Sequence, residues 1–196
     1  MSKEESLESL KNEILRDLVC PLKAEATNLV FGRGSVHSEI FVIGEAPGKK
    51  EDESGIPFVG SAGKNLARFL EKSKRGIDDV YIANILKYRP PKNRNPTIAE
   101  IESHTPYLVR QISIIKPKII ISLGNFATKF VLSGFDVSQM KKIQGISEIH
   151  GQVFRIIISD REYIVVPMYH PAAVLYKRSL QEVVEKDFEN LQNILE

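Results

Sequence analysis

The sequence predicts an α/β fold, a three-layer α/β/α sandwich with parallel strands. Apolar, β-branched runs at residues 39–43 (EIFVI), 79–86 (DVYIANIL) and 118–123 (KIIISL) alternate with segments of helical periodicity, the order that gives parallel pairing. The runs are apolar at consecutive positions, as suits a sheet covered on both faces. With 196 residues, 42% hydrophobic and 27% charged, the chain reads as a single domain over residues 1–196 with enough apolar side chain to offset its ordering entropy.

The elements follow in order. Residues 4–17 place Leu7, Leu10, Ile14, Leu15 and Leu18 at helical spacing, and Pro21 ends that helix. Strand 39–43 is stopped by Gly44. Residues 61–73 predict a helix with Ser61 as N-cap and Leu66, Phe69 and Leu70 on one face. Strand 79–86 comes next. Residues 88–96 (YRPPKNRNP) are irregular, because three prolines fix φ and remove donors. Thr97 caps a helix through Ile115, with Glu100 completing a capping box, and Pro117 breaks it. Strand 118–123 leads through Gly124 to a short helix, 125–132. Residues 136–150 show no clear pattern, and 153–158 with 163–167 read as a hairpin or two strands. A closing amphipathic helix, 178–195, turns Leu180, Val183, Val184, Phe188, Leu191 and Ile194 inward.

Composition narrows the partners. One cysteine, Cys20, excludes an intramolecular disulfide and is read as excluding a site built on several thiolates. The 27 Lys+Arg against 25 Asp+Glu leave only +2, yet the charge is uneven. Residues 181–196 hold Glu182, Glu185, Asp187, Glu189 and Glu196 against Lys186. Basic clusters stand at Lys87, Arg89, Lys92 and Arg94, at Lys72, Lys74 and Arg75, and at Lys177 and Arg178. Solvated surface is the ordinary reading of such clusters. Basic loops on a near-neutral protein also suit a phosphate-bearing partner held by a few contacts. The charged N-terminus is not a secretory signal, and no apolar run approaches a membrane span. The expectation is a cytoplasmic monomer with no membrane partner.

In parallel sheets, ligands bind beyond the carboxyl ends of the strands. After the first strand stand Gly44-Glu45-Ala46-Pro47-Gly48, then Glu51 and Asp52. Asn84 and Lys87 close the second, Gly124-Asn125 the third, and Tyr169-His170-Pro171-Ala172 the last. Gly44 and Gly48 flank a turn that allows close backbone approach to a ligand. A carboxylate, an amide and an imidazole thus share one rim. Phe58, in the loop Gly55–Gly63, is either a core ring or a flat surface for a planar ligand, with helix N-terminal amides at Gly60 and Ser61 available for a phosphate. A planar ring, an amide and a neutral imidazole fit a nucleobase taken out of its stack.

The stretches GEAPGKKED (44–52), GIPFVGSAG (55–63), YIANILKYRPPKNRNP (81–96), ISLGNFA (121–127) and YHPAAVL (169–175) resemble, in order and spacing, the uracil-DNA glycosylase superfamily. The similarity is greatest to its family 4, the bacterial and archaeal iron–sulfur type. The resemblance implies a four-stranded parallel sheet covered by helices, and hydrolysis of the N-glycosidic bond of deoxyuridine in single- or double-stranded DNA, a base-excision repair reaction. It implies that Phe58 stacks on the flipped uracil, that Asn84 reads its polar edge and that His170 donates to O2. Glu45 and the backbone around Ala46 would hold the attacking water, with Gly44 beside the substrate. Glu51 would lie near C5 and disfavour the thymine methyl. Val174, Leu175 and Tyr176 would supply an apolar wedge, and Lys92, Arg94 and Lys177 the phosphate contacts.

The chain departs from the family at the cluster ligands. The four cysteine positions align with Asp17, Cys20, Tyr88 and His104, and only Cys20 is a cysteine. Iron–sulfur clusters need soft thiolates. The expectation is therefore a member with no cofactor and no metal, its site repacked around Tyr88. Zinc on Asp, Cys and His is an alternative for which Tyr88 is a poor fourth ligand. Alternatives for function are a relative acting on hypoxanthine or a mismatched pyrimidine, a non-catalytic DNA-binding relative, and a nucleotide-binding α/β domain. The last lacks both G-x-G-x-x-G and a Walker lysine.

Overall fold

The computed structural model describes residues 1–195; Glu196, counted above among the acidic residues, lies outside the described residues. Two helices, α1 (Lys3–Asp17) and α2 (Pro21–Glu25), precede the sheet. There follow β1 (Arg33–Gly34), β2 (Ile40–Gly44), α3 (Lys49–Ser54), α4 (Ser61–Lys72) and β3 (Tyr81–Asn84). Next come α5 (Ile98–Ile115), β4 (Ile119–Leu123), α6 (Gly124–Leu132) and α7 (Ile146–Ile149). The chain ends with β5 (Phe154–Ile158), β6 (Arg161–Met168), α8 (Ala173–Tyr176) and α9 (Gln181–Leu195).

The sheet runs β1-β3-β2-β4-β6-β5. Its inner four strands, β3-β2-β4-β6, are parallel, as expected. Two antiparallel edge strands extend it: β1 on β3, and β5 on β6. The β5–β6 hairpin turns through Ser159 and Asp160, with φ of 48° and 65°, the paired left-handed geometry that matches strand twist in a two-residue loop.

Alternate residues of each inner strand serve opposite layers. Phe41 and Ile43 pack with Leu10, Ile14, Ile112 and Phe130 from α1, α5 and α6. Ile40 and Val42 pack with Leu66, Phe69, Phe188 and Leu191 from α4 and α9. Every residue of β2, β3 and β4 is buried, and each large apolar side chain so placed contributes about 1.5–3 kcal/mol. Phe69 and Phe188 stack at 5.7 Å, joining α4 to α9.

The capping box at Thr97 and Glu100 forms as expected, with bonds of 3.3 and 2.8 Å. Ser2 and Glu5 make a second box, which starts α1 at Lys3 rather than residue 4. Other expectations need correction. Gly60, in extended conformation, is the N-cap of α4 and Ser61 is its first helical residue, because the amide of Gly60 is held by Glu51. Pro21 opens α2 rather than only ending α1, its missing N–H costing nothing at a first helical position. Leu15 (47% exposed) and Val183 (37% exposed) lie at the margins of their apolar faces rather than inward. The closing helix begins at Gln181, after a 3₁₀ turn at Arg178–Leu180. Segment 136–150 resolves into a 3₁₀ turn, Val137–Lys142, and α7. Among the described residues, no helix is long and apolar enough to cross a membrane.

Candidate active site

At the carboxyl ends of β2 and β3 lies a cavity of about 430 Å³. Glu45, Ala46, Glu51, Phe58, Asn84, Arg94 and His170 all line it, so residues drawn from five separate stretches of sequence converge on one cavity. The β2–β3 pairing continues past the strands: Ile85 N–H donates to the Gly44 carbonyl (2.9 Å) and Leu86 N–H to that of Glu45 (3.1 Å). Gly44 and Asn84 are register partners. A Cβ on Gly44 would lie 2.3 Å from Asn84 Oδ1 and 2.9 Å from the Phe58 ring, so the absence of a side chain lets amide and ring close over the strand end. Asn84 is buried, and its Oδ1 has no hydrogen-bond partner among the described residues. Leaving a buried acceptor unmatched costs about 1–3 kcal/mol, as a site awaiting a polar ligand would.

Phe58 is both of the alternatives considered: it belongs to the core against Leu66 and Phe69, and it walls the cavity. Its φ of 54° is unusual for a bulky side chain. Two contacts hold that conformation. Glu51 Oε1 accepts from Val59 N–H (3.0 Å) and Gly60 N–H (2.8 Å). A Cβ on Gly63 would meet the Phe58 carbonyl at 1.8 Å, so the first turn of α4 packs directly on this backbone. Gly63 was not singled out from sequence, although its place in the GSAG start of the helix was the available signal.

His170 follows β6 and rests on Gly124, whose φ of 83° and lack of Cβ admit the imidazole. Ala172 N–H donates to His170 Nδ1 at 3.2 Å, which places the proton of a neutral ring on Nε2. Burial pushes the imidazole down to about 4, so it is neutral near pH 7. Glu45 is pushed up by burial, and its carboxylate has no ion pair among the described residues.

The expected phosphate contacts are dispersed. Arg94 lines the cavity but binds Glu100 with both terminal nitrogens, at 2.8 and 2.5 Å, and this pair pulls Glu100 down to about 2. It thereby ties the 88–96 loop to α5. Lys92, at φ 54°, is exposed on that loop, and Lys177 is exposed after α8. Of the wedge, Val174 is buried, whereas Leu175 (52% exposed) and Tyr176 (91% exposed) face outward.

The four positions aligned with cluster ligands do not form a four-thiolate set. Asp17 pairs with Arg16 at the surface. Cys20 is buried and is the one thiol. Tyr88 and His104 rings meet edge-on at 6.2 Å, and Tyr88 Oη and His104 Nε2 are buried without hydrogen-bond partners among the described residues. Among the described residues, no group of three or more His, Cys, Asp or Glu side chains is placed to hold a metal ion.

Residues 31–195 match the family model of the uracil DNA glycosylase superfamily. The type-4 uracil-DNA glycosylase of Archaeoglobus fulgidus is 43% identical over 187 residues, covering 95% of this chain and 92% of that protein. Its namesake from Sulfurisphaera tokodaii is 41% identical over 97% of this chain and 85% of that protein. The Thermotoga maritima type-4 enzyme is 35% identical over 99% of this chain and 97% of that protein. These relatives correct the expectation of a chain without cofactor. They carry the type-4 name over nearly the whole length, and type 4 is the iron–sulfur type of the resemblance drawn above. Substitution at Asp17, Tyr88 and His104 therefore does not establish a loss. By its match over residues 31–195 and its identity to these enzymes along almost the entire chain, the protein belongs to the uracil-DNA glycosylase superfamily.

Proposed function

We propose that the cavity receives a uracil turned out of DNA and that the chain hydrolyses its N-glycosyl bond, the first step of base-excision repair. The C1′–N1 bond breaks with its electron pair leaving on uracil, whose negative charge spreads over N1 and O2; water adds to C1′, and the proton it releases ends on the departed uracil. His170 Nε2–H donates to O2, where charge develops, and so favours the transition state over the ground state. One such donor is worth roughly 3–4 kcal/mol by analogy with oxyanion-hole deletions. Asn84 complements N3–H and O4, Phe58 stacks on the ring, and Gly44 leaves the space between them. Glu45 and the backbone at Ala46 hold the water, and the Glu45 carboxylate opposes the positive charge that builds on the sugar. Glu51 narrows the pocket against the thymine methyl while it braces Phe58.

Flipping costs a few kcal/mol of unstacking, offset in part by inserting Leu175 and Tyr176 into the duplex. Lys92, Lys177 and the amide at Ser61 meet phosphates, and Arg94 shapes the loop that carries Lys92; the Gly60 amide, expected to be available as well, is already given to Glu51 and takes no part. The protein acts as a single-domain monomer in the cytoplasm, on single- or double-stranded DNA.

The observation that carries this reading is the neutral His170, with its proton on Nε2, sharing one cavity with Asn84 and Phe58. Oligonucleotides carrying one U, hypoxanthine or T:G, incubated with the protein and then treated with alkali, test it. Strand scission at U is expected. Scission at hypoxanthine alone, or binding without scission, overturns it.

A further inference from the structure

Lys87 is fully buried, yet no carboxylate pairs with it among the described residues. Its Nζ donates to the Asn84 carbonyl at 2.8 Å and to Gln111 Oε1 at 2.5 Å. Gln111, equally buried on α5, donates onward to the Phe31 carbonyl at 3.0 Å and to Tyr81 Oη at 3.3 Å. Burial pushes His104, also on α5, down to about 4, and the nearby charge of Lys87 adds to that shift. An amine so placed is costly: desolvation lowers its pKa to about 7, and an apolar side chain of similar length would fill the same space without that cost.

Its position gives the reason. Strand β3 ends at Asn84, and the side-chain Oδ1 of Asn84 accepts no hydrogen bond among the described residues. The amide is therefore aimed by its backbone and by packing on Gly44 and Phe58. Beyond Asn84, the links from Ile85 and Leu86 to β2 hold one side of the turn, and Lys87 Nζ takes the carbonyl of Asn84 itself. The Lys87 carbonyl in turn accepts from Val30 N–H at 2.9 Å.

We propose that Lys87 is a positioning residue for base recognition: with Gln111 it clamps the end of β3 to α5 and so fixes the Asn84 amide against the flipped base. The inference rests on the reading of Asn84 as the base-reading amide. Single-turnover rate constants on a uracil oligonucleotide, affinity for undamaged DNA and thermal unfolding are measured for Lys87→Met, Gln111→Met and Asn84→Ala. A loosened amide is expected to lower the single-turnover constant of Lys87→Met and Gln111→Met roughly 10- to 100-fold, with affinity for undamaged DNA unchanged. A merely structural role would lower the melting temperature and the active fraction, and would leave the rate constant of the folded molecules at the parent value. That second result, with Asn84→Ala inactive, overturns the role of Lys87 alone. Parent rates in Asn84→Ala overturn the reading of the pocket. If Lys87→Met does not fold, Gln111→Met, which retains the lysine, decides in the same way: a slower constant supports the clamp and a parent constant overturns it.

Discussion

The rings of Phe58 and His170 stand 5.9 Å apart between centroids and 34° from coplanar, each held by contacts of its own. Glu51 and Gly63 set Phe58, whereas Gly124 and the Ala172 amide set His170. The two rings can thus address the face and the edge of one base. Phe58→Ala is expected to remove stacking worth about 1–3 kcal/mol, seen as roughly a 5- to 150-fold fall in kcat/KM for a uracil oligonucleotide. Because Phe58 also packs on Leu66 and Phe69, thermal unfolding of the same variant is expected to show lower stability.

Acid inactivation distinguishes Glu45 from His170, both of which line the cavity. Burial raises Glu45 above its ordinary 4.5, so its carboxylate is lost first as pH falls. His170, held near 4, stays neutral through that range. The single-turnover rate is expected to fall on the acid side with an apparent pKa above 4.5, and Glu45→Gln is expected to be slow at all pH values, without that limb.

Lys87 makes stability depend on alkaline pH. Its folded value near 7 lies below the ordinary 10.5, so across that window the unfolded chain binds the proton that the folded chain has released. The unfolding free energy therefore rises with pH above about 7, with a slope approaching 1.4 kcal/mol per pH unit from this group at roughly mid-window. Below pH 7 the penalty for burying the charge is present in full. Denaturant titrations at several alkaline pH values are expected to show this slope in the parent protein and its absence in Lys87→Met.

Much of the fold was legible because its signals are local. The β-branched runs that became β2 and β4 are buried on both faces, and the Thr97–Glu100 box starts α5 where the spacing required. The rim residues Glu45, Asn84 and His170 were found because strand ends in a parallel sheet face one side. Edge strand β1 is not legible in the sequence, since two residues carry no periodicity. Gly60 rather than Ser61 caps α4, because the capping preference of serine is a local tendency, whereas the bond from Gly60 N–H to Glu51 is a tertiary one.

The sequence by itself determined the alternation of strands and helices, the parallel core and the rim on which an amide, a carboxylate and an imidazole meet. Only the tertiary structure decided the partners. It joined Arg94 to Glu100 instead of leaving it free for phosphate, assigned Glu51 to the Phe58 loop, placed the His170 proton and sealed Lys87 behind Asn84. Periodicity and capping depend on neighbours within a turn or two of chain. Ionisation, tautomer and hydrogen-bond choice depend on which distant groups packing brings within about 3 Å and on how much water it leaves around them.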